Sequence, residues 1–239
     1  MKYVDKHRVL SQFTDKNGIL RTGALIRYMQ EAAANCMAED KPSYDELIER
    51  GYSFVLSRIS VSVYSDIHAN DEIEVETWAC ESQRYSFPRC YRVTRGGVTV
   101  AEASAIWALI DIKKHRLVRA SDIELGYRTD EPLELDVAAK IHIPEERLSL
   151  VGERTVCYSD VDRNGHMNNT VYADMLCDFV FTHGFGRVSS MSISFLNEAP
   201  FGETLKVYKA ADDDTYYICT VREDAKTNIE AEIIIEEID

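Results

Sequence analysis

The chain has 239 residues, 27 Lys and Arg against 41 Asp and Glu, a formal net charge of -14 and 45% hydrophobic residues. This acidic balance argues against general nucleic-acid binding, which needs a surplus of Lys and Arg on one face, while the apolar content suffices for an ordinary buried core. The first thirty residues include Lys2, Asp5, Lys6, His7, Arg8 and Asp15 in place of an apolar leader, and no run approaches the roughly 20 apolar residues of a membrane span. The expected location is therefore the cytoplasm.

In chain order, an opening strand leads to the polar turn Asp15-Lys-Asn-Gly-Ile-Leu20. After it, Thr22 is placed to cap a helix through Ala24, Leu25, Tyr28, Met29 and Ala32 to Met37, with apolar positions recurring at three and four. Period-two patterns rich in Val, Ile and Tyr predict strands at 54–64, 72–80, 88–95 and 98–111, with Gly96-Gly97 as a hairpin turn. Arg84, Arg89, Arg92 and Arg95 form one basic cluster, and Lys113, Lys114, His115, Arg116 and Arg119 a second. These are either solvated strand and turn positions or a docking patch for an acidic or phosphate-bearing partner.

Residues 119–150, with Pro132 and Pro144, read as a linker with a boundary near 140, giving halves 1–140 and 141–239. The second half repeats the order. A strand and the turn Asp162-Arg-Asn-Gly-His-Met167 precede a helix capped by Asn168 or Asn169, running through Val171, Tyr172, Met175, Leu176 and Phe179 to near Gly184. Strands follow at 187–197, 203–210, 215–222 and 228–237.

Three segments in fact match between the halves. The two turns align at a shift of 147 (162 minus 15), with Ile19 where His166 stands. Ile59 to Tyr64 aligns with Met191 to Leu196, continuing to Asp71–Val75 against Glu203–Val207, at a shift of 132; Thr99–Ala103 aligns with Thr227–Ala231 at 128. One helix followed by several antiparallel strands, made twice, is an α+β arrangement in which each sheet wraps a long helix: a tandem, or double, hot-dog fold.

The densest polar cluster runs from Ser159 to Asn169. Asp, Asn and Gly there are accounted for by a turn and a helix cap. His166 is not, because the first copy keeps Asp15, Asn17 and Gly18 and has Ile19 in its place. An imidazole titrating near neutral pH beside carboxylates, with free N–H groups at a helix start, suits activation of water and stabilisation of an oxyanion. The six cysteines show no C-x-x-C pair and no companion His at zinc-ligand spacing, so reduced thiols are expected, without metal or cofactor.

The pattern Asp162-x-Asn164-x-His166-x-Asn168-Asn169-x-x-Tyr172 resembles the signature of the acyl-acyl-carrier-protein thioesterases of plants and bacteria. Tyr28 to Ala33, Val55 to Arg58, Asp71 to Trp78 and Ala105 to Trp107 extend the resemblance over nearly the whole chain. It implies hydrolysis of a fatty acyl thioester by Asp162, Asn164, His166 and Glu198, with Asn168, Asn169 and Tyr172 at the substrate. Ala199 stands where plant members carry a Cys, which removes a covalent cysteine route at that position.

The first half is then free to hold the acyl chain, with Met29, Ala33, Met37, Phe54 and Leu56 as candidate lining. The partner implied is acyl carrier protein, docked by Arg84, Arg89, Arg92, Lys113, Lys114 and Arg116. Acyl-CoA as substrate, a dehydratase and a noncatalytic acyl-binding module are the rivals. A monomer and a homodimer both fit, since fused halves supply the pairing that single-copy relatives obtain by dimerising.

Overall fold

The computed structural model describes residues 2–182 and 186–237. Contacts divide the chain into two units, residues 1–20 with 25–137 and residues 21–24 with 138–239. Each is an antiparallel sheet with a helix, and each follows the same plan.

In the first unit, β1 (Tyr3–Arg8) leads through the Asp15 turn into α1 (Thr22–Glu39) and a short α2 (Tyr44–Glu49). Strands β2 (Tyr52–Val63), β3 (Glu72–Ala79), β4 (Phe87–Arg95), β5 (Val98–Asp111) and β6 (Arg116–Val118) follow. The hydrogen-bonded order is β1-β3-β4-β5-β2, with β6 on β5. Along α1, Leu25, Met29, Ala32 and Ala33 recur at helical spacing and are buried, while Glu31 faces solvent. Along β3, Ile73, Val75 and Thr77 are buried and Glu72 and Glu74 exposed, the alternation of a sheet with one covered face.

The second unit contains β7 (Ser149–Thr155), α3 (Asn169–Val180), β8 (Gly186–Phe195), β9 (Thr204–Asp212), β10 (Thr215–Val221) and β11 (Thr227–Glu237). Its order, β7-β9-β10-β11-β8, is that of the first unit strand for strand. Duplication extends to single bonds. Val9 N–H donates to Asp71 O at 2.9 Å, and Val156 N–H to Glu203 O at 2.9 Å. Arg95 pairs with Asp71 at 2.6 Å as Arg222 pairs with Glu203 at 2.9 Å.

The predicted strands coincide with the observed ones to within two residues at either end. Three local readings are corrected. Thr22 is the first residue of α1 and not a residue preceding it. The short α2 was not foreseen, although Ser43 accepts from Glu46 N–H at 3.3 Å and the Glu46 carboxylate from Ser43 N–H at 2.7 Å, a capping box. β7 begins inside the stretch read as linker. Its residues are mostly exposed, and Gly152 sits at a bulge where an added Cβ would lie 2.9 Å from the Phe179 ring, so no clean alternation marks the strand. The expected helix end near Gly184 lies outside the described residues.

Candidate active site

The second D-x-N-G-H turn is closed by its own backbone. Asp162 N–H donates to His166 O at 3.0 Å and Gly165 N–H to Asp162 O at 3.0 Å, with Gly165 at φ +80°, a conformation glycine adopts without penalty. The Asp162 carboxylate turns inward on the loop, accepting from Asn164 N–H at 2.8 Å and from the Asn164 side-chain amide at 3.3 Å. Asp162 and Asn164 therefore form a unit, with Asn164 exposed.

A second segment, following β8, meets this turn. His166 bridges to Pro200, Met167 N–H donates to Ala199 O at 2.8 Å and Phe201 N–H to Gly165 O at 3.2 Å. The result sets His166 Nδ1 3.3 Å from Glu198 Oε2, with the His side chain 35% and the Glu side chain 65% exposed. An imidazole and a carboxylate that water reaches, held by main-chain bonds on both sides, can move protons between solvent and a bound molecule. Ala199 is fully buried, so no nucleophile occupies its place.

The first unit has the same construction with different side chains. Asp15 N–H donates to Ile19 O at 2.8 Å, Leu20 N–H to Ile67 O at 2.7 Å and Ala69 N–H to Gly18 O at 3.0 Å, and Ile19 bridges to His68. Ile19 and Asp66 thus stand where His166 and Glu198 stand.

Asn168 caps α3, its side-chain oxygen accepting from Thr170 N–H at 2.9 Å and from the Thr170 hydroxyl at 2.8 Å. Asn169 is the first residue of the helix. Beneath the turn lies a pair that the sequence reading missed: Asp160, buried, accepts two bonds from Arg154 at 2.8 and 2.7 Å and one from Cys157 N–H at 2.7 Å. Asn168 N–H donates to Asp160 O at 2.8 Å, so this pair underpins the cap.

Two further candidates, Tyr172 and Met29, are buried. Tyr172 is 2% exposed, its hydroxyl accepts from Asn228 at 2.9 Å, and burial pushes its pKa up to about 12. Met29 is 0% exposed. Both are packed among protein side chains. Ala33 and Leu56 are buried, whereas Met37 and Phe54 keep part of their surface open, Phe54 with its ring edge-on to Phe87.

Of the basic residues, Arg89 is also corrected. It is 6% exposed and donates to Thr77 at 3.2 Å, so it is unavailable to a docking partner. Arg92 is half-buried and paired with Glu102 at 2.7 Å. Arg84, Lys113, Lys114 and Arg116 are exposed. Ala120 N–H donates to Arg84 O at 2.6 Å, which joins the end of the second cluster to the first. Among the described residues no group of three or more His, Cys, Asp or Glu is disposed to hold a metal, and no helix is long and apolar enough to cross a membrane.

The family model for the acyl-ACP thioesterase N-terminal domain matches residues 1–125, and that for the C-terminal domain residues 145–237. A chloroplastic acyl-acyl-carrier-protein hydrolase of Cuphea viscosissima is 26% identical over 177 residues, covering 70% of this chain and 43% of that protein. The chain spans less than half the length of the curated relatives it matches. The structure of an acyl-ACP thioesterase from Bacteroides thetaiotaomicron is similar with a TM-score of 0.90 at 20% identity, covering 98% of each chain. That of the 12:0-ACP thioesterase from Umbellularia californica has a TM-score of 0.79 at 17% identity, covering 98% of this chain and 97% of that one. These structural likenesses establish the double hot-dog fold, and with both family models matched the chain belongs to the acyl-ACP thioesterase family.

Proposed function

We propose that this chain hydrolyses the thioester of fatty acyl-acyl carrier protein, releasing the free fatty acid. The observation that carries the reading is the 3.3 Å approach of His166 to Glu198, in the half of the molecule where the internal copy has Ile19 and Asp66 instead. Glu198 takes a proton from water as it attacks the thioester carbonyl. His166 holds that water, takes the proton on from Glu198 across their 3.3 Å contact and delivers one to the departing thiolate. Asp162 fixes Asn164, whose exposed side chain faces the region where the oxyanion develops. Asn168 and Asn169 set the start of α3, whose leading N–H groups favour negative charge.

The first unit serves as the acyl-chain holder, with Met37, Phe54, Ala33 and Leu56 toward the chain. Exposed Arg84, Lys113, Lys114 and Arg116 suit the acidic surface and phosphate of a carrier protein. That exposed patch favours a carrier protein over coenzyme A as the donor. The test is thiol release from a panel of carrier-protein and CoA thioesters by wild type, His166→Ala and Glu198→Ala. Carrier-selective hydrolysis lost in both variants is expected; activity surviving both changes would overturn the site, and no hydrolysis of any acyl length would favour a binding module.

A further inference from the structure

The two units share the bonds that hold the strand end ahead of residue 198. In the first, Tyr64 N–H and Ser65 N–H both donate to Val100 O, at 2.8 and 3.4 Å; in the second, Leu196 N–H and Asn197 N–H both donate to Asn228 O, at 2.9 and 3.0 Å. Val100 and Asn228 are therefore equivalent, yet one is apolar and the other an amide at 0% exposure.

The amide is fully engaged. Asn228 Nδ2 donates to the Tyr172 hydroxyl at 2.9 Å and to the carbonyl of Asn197, and Oδ1 accepts from Thr220 Oγ1 at 2.8 Å. Thr220 Oγ1 in turn accepts from Ile229 N–H at 3.3 Å, and because the Asn197 carbonyl can only accept, it fixes which side of the amide carries Nδ2. Asn197 adds a bond of its own, Nδ2 to Thr227 O at 2.7 Å. By the shifts of 147 and 128, Tyr172 and Asn228 correspond to Leu25 and Val100, and Thr220, paired with Ile229 as Val93 is with Ala101, corresponds to Val93; all three are buried and apolar. The fold thus accepts a wholly apolar trio at this place, and the second unit has a buried polar one. Burying three polar groups stabilises only when all are paired, so the fold alone gives no reason to prefer it.

We infer that Asn228 is a positioning residue, which with Tyr172 and Thr220 fixes the Asn197 peptide and so holds Glu198 against His166. This rests on the proposed role of Glu198. Glu198 itself lies on an exposed segment with its side chain 65% accessible. Its geometry is set by the main chain, and the Asn197 carbonyl, one peptide before it, is the atom the amide grips.

The test is a double-mutant cycle of Asn228→Val and Glu198→Ala, assayed on dodecanoyl and hexadecanoyl thioesters of acyl carrier protein. Valine is the residue that the first unit carries at this place. Asn228→Val alone is expected to lower kcat about 10- to 100-fold with KM within about threefold, since a misplaced base loses rate before binding. In the Glu198→Ala background it is expected to change kcat by less than about twofold. Multiplying losses in the double variant, or an unchanged kcat in the single one, would overturn the inference while leaving the thioesterase reading intact. An unchanged kcat in Glu198→Ala would overturn that reading, and the inference with it. If Asn228→Val does not fold, the cycle runs on Tyr172→Leu/Thr220→Val/Asn228→Val, the first unit's own trio; failure of both to fold would show a purely structural role and overturn the inference.

Discussion

Ile19 and His166 close the same turn: each accepts, at its carbonyl, the N–H of the aspartate four residues before it, at 2.8 Å from Asp15 and 3.0 Å from Asp162. The closing backbone bond is the same in both, and Ile19 N–H adds one to the Asp15 carboxylate at 2.9 Å. Whatever His166 does, it does through its ring, and the ring's near neighbour is Glu198.

Replacing Glu198 by Gln keeps size and removes the carboxylate proposed as the base. The expected result is a fall in kcat of about 10²- to 10⁴-fold. Because the side chain is mostly exposed, stability is expected to change by no more than about 0.5 kcal/mol. Steady-state thiol release and urea unfolding on the same preparation check both parts.

Gly18 and Gly165 hold the two turns at φ +77° and +80°, and an added Cβ at either meets nothing within 4 Å. Alanine at either position is expected to cost about 1–2 kcal/mol from backbone conformation alone. Only Gly165→Ala is expected to lower kcat as well. Equal loss of activity in Gly18→Ala would show that the strain acts through the whole molecule.

Arg154→Met leaves the Asp160 carboxylate buried with the Cys157 N–H as its remaining bond. With Asp160 5% exposed and the Arg154 side chain 31% exposed, a loss of about 2–4 kcal/mol is expected in urea unfolding. The cap of α3 is the first structure to loosen, read by amide exchange at Asn168 and Thr170.

Burial lifts Tyr91 and Tyr172 from 10.0 to about 12. An acid that ionises less readily when folded contributes its full share of stability below the unfolded value and loses it above. Stability is therefore expected to fall between pH 10 and about 12, by up to roughly 1.4 kcal/mol per pH unit for each group. Alkaline unfolding of Tyr172→Phe is expected to show a shallower slope than wild type; an identical slope would mean that this hydroxyl is not shielded from water.

Reversing charge at Lys113, Lys114 and Arg116 is expected to raise KM for carrier-protein thioesters several-fold at low salt while leaving kcat and CoA thioesters little changed. A parallel loss on both donors would point to damage away from docking. Salt titration of KM supplies the check.

Much of this was legible in the residues. The alternation of β3 and the spacing of Leu25 and Met29 declare their faces, because each buries one side only. The repeated turn singled out His166, and the family resemblance pointed to Glu198; the shift of 132 sets Asp66 opposite it, an alignment that the bonds of Leu20 to Ile67 and of Met167 to Ala199 reproduce. What escaped was what depends on a third element. Tyr172 reads as part of a signature, and only the fold reveals that Asn228 takes its hydroxyl. The aligned pair Val100 and Asn228 was a usable sign, an amide at a strand position where its twin is apolar. Arg89 looked like its exposed neighbours in the basic run, and only strand pairing shows that it points inward.

The turn that carries His166 is closed by peptide groups and the Asp162 carboxylate, and its twin by peptide groups and the Asp15 carboxylate. The side chains at 19 and 166 are tenants of a socket whose closing bonds do not depend on them. Such a design lets one copy change its chemistry while keeping its frame: an imidazole placed at position 19 and a longer carboxylate at 66 would enter a turn already built.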